Sequence, residues 1–176
     1  MTSRSLKDEV FVTSDHIVTV SGEDVRFLKT RAAAAPRKRS RLCAHAELGD
    51  SLHEMVVVLS QDTYVRPHKH LGKSESFHIV EGALKVVILD DSGEVLRVIP
   101  MAAYGSDEVW FYRLSASLYH CVIPTTDPVV FHETTNGPFR PEDTVWAPWA
   151  PQESDHLAAE RYAHALLARA ESWAAS

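Results

Sequence analysis

Cysteine is nearly missing from this chain, with only Cys43 and Cys121 among 176 residues. Two thiols supply no disulfide framework, and a reducing, cytoplasmic setting is expected. Long apolar runs are absent too. None approaches a membrane span, and residues 1–9 lack the apolar core of a signal peptide, so no membrane partner is expected. Positive charge is in deficit, with 18 Lys and Arg against 24 Asp and Glu and a net charge of -6. That balance favours solubility and gives no global electrostatic ground for binding nucleic acid. No internal repeat or low-complexity linker is found. What remains is 45% apolar and 24% charged residues, enough for one domain with a full core.

Two kinds of texture divide the chain. Ser21 caps a helix that carries Asp24 three residues on, then Val25, Leu28 and Ala32 at helical spacing, and stops at Pro36. From about Leu42 short apolar runs take over, predicting strands over 54–59, 63–65, 76–80, 84–89, 94–99, 109–113, 118–123 and 129–133. Asp90-Asp91-Ser92-Gly93 reads as the turn of a hairpin. After Pro151 an Ala-rich helix begins, with Tyr162, Leu166, Ala170 and Trp173 on one stripe. The expected division is a helical extension with a basic linker over 1–41, a β-domain over 42–150 and a closing helix over 151–176. The apolar stripe and the uncovered strand edges of such a sheet protein predict a homodimer.

The densest chemistry lies in Pro67-His68-Lys69-His70-Leu71-Gly72-Lys73-Ser74-Glu75. On a strand, His68 and His70 share a face while Lys69 points away. A reversal at Leu71-Gly72-Lys73 returns Glu75 on the neighbouring strand. Imidazole and carboxylate together suit one divalent transition metal: Fe, Mn, Ni, Cu or Zn. His120, in the apolar run 118–123, is the expected fourth ligand.

With His68, His70, Glu75 and Gly82 in register, the run resembles the first motif of the cupin superfamily. The second motif survives only in His120, since Ser115 and Ser117 replace its proline and glycine. Pro67–His78, with His132-Glu133-Thr134-Thr135-Asn136-Gly137-Pro138-Phe139 and Ala147-Pro148-Trp149-Ala150-Pro151, is similar to the WbuC-type cupin metalloproteins over roughly residues 20 to 151. The resemblance implies an all-β double-stranded β-helix, a jelly-roll barrel with helices at both ends. It also implies a setting among surface-polysaccharide genes.

Other residues are weighed against plainer roles. Lys73, and Arg39 and Arg41 in the basic run 37–41, are candidate contacts for an anionic small-molecule ligand. His45, His53, His78 and His132 read as structural or surface histidines, and Cys121 as wall packing. Glu133 is a candidate partner of the metal ligands or an acid–base group. Three functions fit: a metal-dependent enzyme on a small polar anion such as a sugar or nucleotide-sugar, an Fe(II) oxygenase, and a non-catalytic binding protein.

Overall fold

The computed structural model describes residues 3–7 and 9–174. The first strands are β1 (Ser3–Lys7), β2 (Val10–Thr13), β3 (Arg39–Cys43) and β4 (Leu52–Leu59). Next come β5 (His68–His70), β6 (Glu75–Glu81), β7 (Ala83–Leu89) and β8 (Val95–Ala102). The series closes with β9 (Phe111–Leu114), β10 (Tyr119–Pro124), β11 (Val129–Asn136) and β12 (Thr144–Trp146). Helix α1 spans Gly22–Ala34 and α2 spans His156–Ala174.

These strands form two sheets. One has seven strands in the order β1-β2-β3-β4-β11-β6-β9, the other five in the order β12-β5-β10-β7-β8. All ladders are antiparallel except β2 with β3. The period-2 alternation explains how the sheets face each other. Met55, Val57 and Leu59 of β4 join Leu84, Val86 and Ile88 of β7 in the core between the sheets. The intervening Val58 turns outward and, with Phe11, Leu42 and Val130, receives Leu28 and Ala32 of α1. On the far side Val87 and Leu89 pack under Leu166 and Ala170 of α2. Each fully buried Leu or Val contributes roughly 1.5–3 kcal/mol before conformational entropy is charged. The fold is a double-sheet jelly roll with helices at both ends.

Local signals act as expected at several points. The Ser21 hydroxyl accepts from the Asp24 N–H, and the Asp24 carboxylate accepts from the Ser21 N–H at 2.8 Å, a closed capping box. In the 90–93 turn, Asp90 Oδ1 accepts from the Ser92 and Glu94 N–H groups. Gly93 sits there at φ +89°, and a Cβ would meet the Trp149 ring at 3.1 Å.

Two features differ from expectation, and a third, the packing of α2 on the barrel, is one of two arrangements its stripe allowed. Residues 63–65 form no strand. Side chains anchor this stretch instead, with the Thr63 hydroxyl donating to the Lys38 carbonyl and the Tyr64 hydroxyl to that of Pro151. The first 41 residues carry β1, β2 and the start of β3 besides the helix, so the basic run is partly ladder. The α2 stripe turns Leu166 and Ala170 onto the sheet rather than outward, leaving Trp173 exposed.

Candidate metal centre

His68 and His70 stand on β5, and His120 on the adjacent β10 is the direct ladder partner of His68. Residues opposite each other in a ladder project to one face, so all three imidazoles enter the space between the sheets. One ring nitrogen of each lies within 4.8 Å of the others. Glu75 belongs to β6, in the opposite sheet. This corrects the expectation that it returns on the neighbouring strand. The 71–74 connection crosses between sheets and is pinned there by β11. The Ser74 N–H donates to Asn136 Oδ1 at 2.8 Å, and the Thr135 hydroxyl donates to the Ser74 carbonyl at 3.0 Å.

The outer ring nitrogens are anchored. Nδ1 of His68 lies 2.9 Å from the Arg66 carbonyl, and Nδ1 of His120 lies 2.9 Å from that of Leu118. A carbonyl accepts only, so both Nδ1 atoms carry a proton, and in the neutral form of each ring the free lone pair is on the inward-facing Nε2. Nδ1 of His70 is 3.3 Å from the Thr144 hydroxyl on β12. Facing inward, Glu75 Oε1 is 3.0 Å from His120 Nε2, and Oε2 is 3.5 Å from His70 Nε2. Yet Glu75 Oε1 and His120 Nε2 are buried and neither makes a hydrogen bond. Buried acceptors converging without donors are the arrangement a cation satisfies. The donor set of three imidazoles and a carboxylate fits a divalent transition metal.

Electrostatics point the same way. Burial, then the nearby His120, lowers the pKa of His68 to about 3, so His68 is neutral and ready to ligate. For Glu75, burial opposes ionisation, but the charge of the adjacent His120 outweighs it and holds the carboxyl far below its usual range. The same pairing raises His120 against its own burial. Glu133 is different. Burial, then the Glu75 charge, pushes its carboxyl up to about 7.

A family model described as a domain of unknown function (DUF6016) matches residues 20–101, a stretch that includes His68, His70 and Glu75 but ends before His120. No curated protein matches the chain. Among solved structures, an oxalate decarboxylase variant from Bacillus subtilis is similar at 16% identity and TM-score 0.45, over 55% of this chain and 24% of that one. A protein from Shewanella oneidensis is similar at 11% identity and TM-score 0.48, over 58% and 66%. A Lactobacillus farciminis oxalate decarboxylase in complex with formate aligns at 15% identity and TM-score 0.43, over 55% and 27%. The chain thus spans about a quarter of the length of the two decarboxylases.

The remaining candidates fall into place around the cluster. Lys73 is held by Asp143 Oδ2 at 3.2 Å and donates to the Pro138 carbonyl at 2.6 Å. Arg39 pairs with Glu153 at 2.7 Å. Arg41 lies near enough to Glu133 to stabilise its charge, and among the described residues its side chain has no ion pair. His45 and His53 stack on each other at 3.9 Å between centroids. His78 is exposed against Trp110, and His132 lies 3.7 Å from Glu54. Cys121 alternates away from His120 into the layer under α2.

Two site residues escaped the sequence reading. Thr144 and Trp146 flank the β5 histidines from β12, with the Trp146 ring 5.3 Å from that of His68. A three-residue strand carries too little periodicity to announce itself.

Proposed function

We propose that the chain is a metal-dependent enzyme acting on a small polar anion, with a sugar or nucleotide-sugar as the substrate class. The observation that carries this reading is the convergence of unpartnered His120 Nε2 and Glu75 Oε1 beside His68 and His70. Bound there, a divalent metal supplies Lewis-acid polarisation of a carbonyl or hydroxyl oxygen. The chain's own residues supply the rest. The Nδ1 anchors keep the imidazoles in one tautomer and orientation. Glu133, with a carboxyl that titrates at about 7, is suited to take and return a proton near neutrality. Arg41 is the best placed of the three candidate cations, because Lys73 and Arg39 already hold acidic partners. The WbuC-type resemblance favours a place in surface-polysaccharide synthesis, and two unpaired buried cysteines suit a cytoplasmic location.

The test uses protein reconstituted separately with Mn, Fe and Zn and incubated in D2O with sugar phosphates and nucleotide-sugars. Metal-dependent deuterium incorporation at a substrate C–H, lost in Glu133→Gln, supports the proposal. No exchange and no metal-dependent binding across the panel rejects it.

A further inference from the structure

β8 and β9 are the outer strands of the five- and seven-stranded sheets, and the seam between them is only partly closed. Near one end it is bridged, where the Ala102 N–H donates to the Val109 carbonyl at 3.0 Å. Beyond that bridge it opens into a cleft of about 410 Å³, within the range of small-molecule sites. Leu96 and Ile99 of β8, Phe111 and Leu114 of β9, and Ile88 of β7 make an apolar wall. Two of these are ladder neighbours of metal-site residues, Ile88 opposite His120 and Leu114 opposite Glu75. The floor of the cleft therefore borders the metal cluster from the side.

Three polar groups interrupt this lining, and one of them, Arg113, is already engaged, donating to the Ser74 hydroxyl at 3.1 Å. Tyr112 is 6% exposed, and its buried hydroxyl has no hydrogen-bond partner. Such a group is an open request for a ligand oxygen or a water. Arg97, opposite Ile88 in the ladder, is exposed in the lining and makes no hydrogen bond or ion pair among the described residues. In a chain of net charge -6, one unpaired guanidinium beside an apolar wall selects an anion with an apolar body.

We infer that the β8–β9 seam binds a small organic carboxylate. Its carboxylate pairs with Arg97 and its apolar body lies along Leu96, Ile99 and Phe111, leaving room at the inner end for a water on the Tyr112 hydroxyl. The link to chemistry rests on the metal-centre reading above, whereas binding in the seam needs no metal.

Calorimetric titration of octanoate, octanol and acetate into the full chain, with and without chelator, tests this. Octanoate binds at one site per chain in both states, and acetate does not bind measurably. Arg97→Gln weakens octanoate about tenfold or more and leaves octanol unchanged. Leu96→Trp, at an exposed position that accommodates bulk, blocks octanoate while preserving the melting temperature. Absence of saturable octanoate binding overturns the inference, as does an equal affinity for octanoate in Arg97→Gln. So does a dimer that Phe111→Asp splits and octanoate does not disturb, because a second copy then occupies the seam. Octanoate binding by a protein that takes up no Mn, Fe or Zn on reconstitution rejects only the metal-centre reading.

Discussion

His120 Nε2 and Glu75 Oε1 face each other at 3.0 Å from opposite sheets, each buried and neither hydrogen-bonded. A proton on His120 makes the contact an ion pair, and a metal ion that displaces this proton would draw on both lone pairs at once. A metal ion therefore stabilises the fold by binding the native state alone. One divalent ion per chain is expected by elemental analysis, with a melting temperature that rises on loading. His68→Ala with His70→Ala should lose nearly all metal and the associated thermal shift. Full occupancy in that double variant would place the metal elsewhere.

Metal loading should also release protons in a predictable way. His68 is already neutral at pH 7, because burial lowers it to about 3. Glu75 raises His120, so the metal-free protein keeps a proton there to a higher pH than an ordinary histidine. Ligation must displace that proton. Below the elevated pKa of His120, binding of an ion should release a proton, and the release should fall as pH rises through that pKa. Calorimetry in two buffers of different ionisation enthalpy measures this directly. Identical enthalpies in both buffers would refute the assignment of the proton to His120.

Gly82 closes the metal-motif hairpin at φ +77°, and a Cβ there would lie 2.7 Å from the Pro128 carbonyl oxygen. Backbone cannot yield as a flexible side chain does. Gly82→Ala should cost about 2–4 kcal/mol, the sum of left-handed strain and displacement of the 126–128 loop. For a chain of this size that is a fall of roughly 5–15 °C in melting temperature. A shift under about 2 °C would show that the loop adapts freely.

The period-2 apolar alternation made most of the barrel legible, since strands such as β4 and β7 bury alternate residues on two faces. β1 escaped because Ser-Arg-Ser-Leu-Lys has no apolar alternation, and its place as the sheet's outermost strand demands none. The shared face of His68 and His70 follows from spacing alone. The position of Glu75 in the opposite sheet does not, because it depends on β11 residues about 60 positions away that pin Ser74. The pairing of Lys73 with Asp143 was hidden for the same reason. Charges read as free in a sequence are often neutralised by partners that only the fold supplies.

Glu133 offers the sharpest separation of stability from function. Its folded pKa is raised from the ordinary carboxylate range to about 7, by burial first and then by Glu75. A raised acid favours the protonated form in the native state. Its contribution is thus fully present below the unfolded pKa of about 4.3 and is lost as pH rises through about 7. Above that pH the native state carries a half-buried, repelled carboxylate. Glu133→Gln keeps the shape and removes the charge. In chelated protein it should stabilise the fold at pH 8 by about 1–3 kcal/mol and change little at pH 4. If Glu133 also moves the proton in the reaction, the same variant is more stable yet loses metal-dependent exchange. Denaturant melts at the two pH values settle the first part. Equal stability of variant and wild type at pH 8 would mean that Arg41 already neutralises the carboxylate, and that Glu133 is an ion-pair partner rather than a proton carrier.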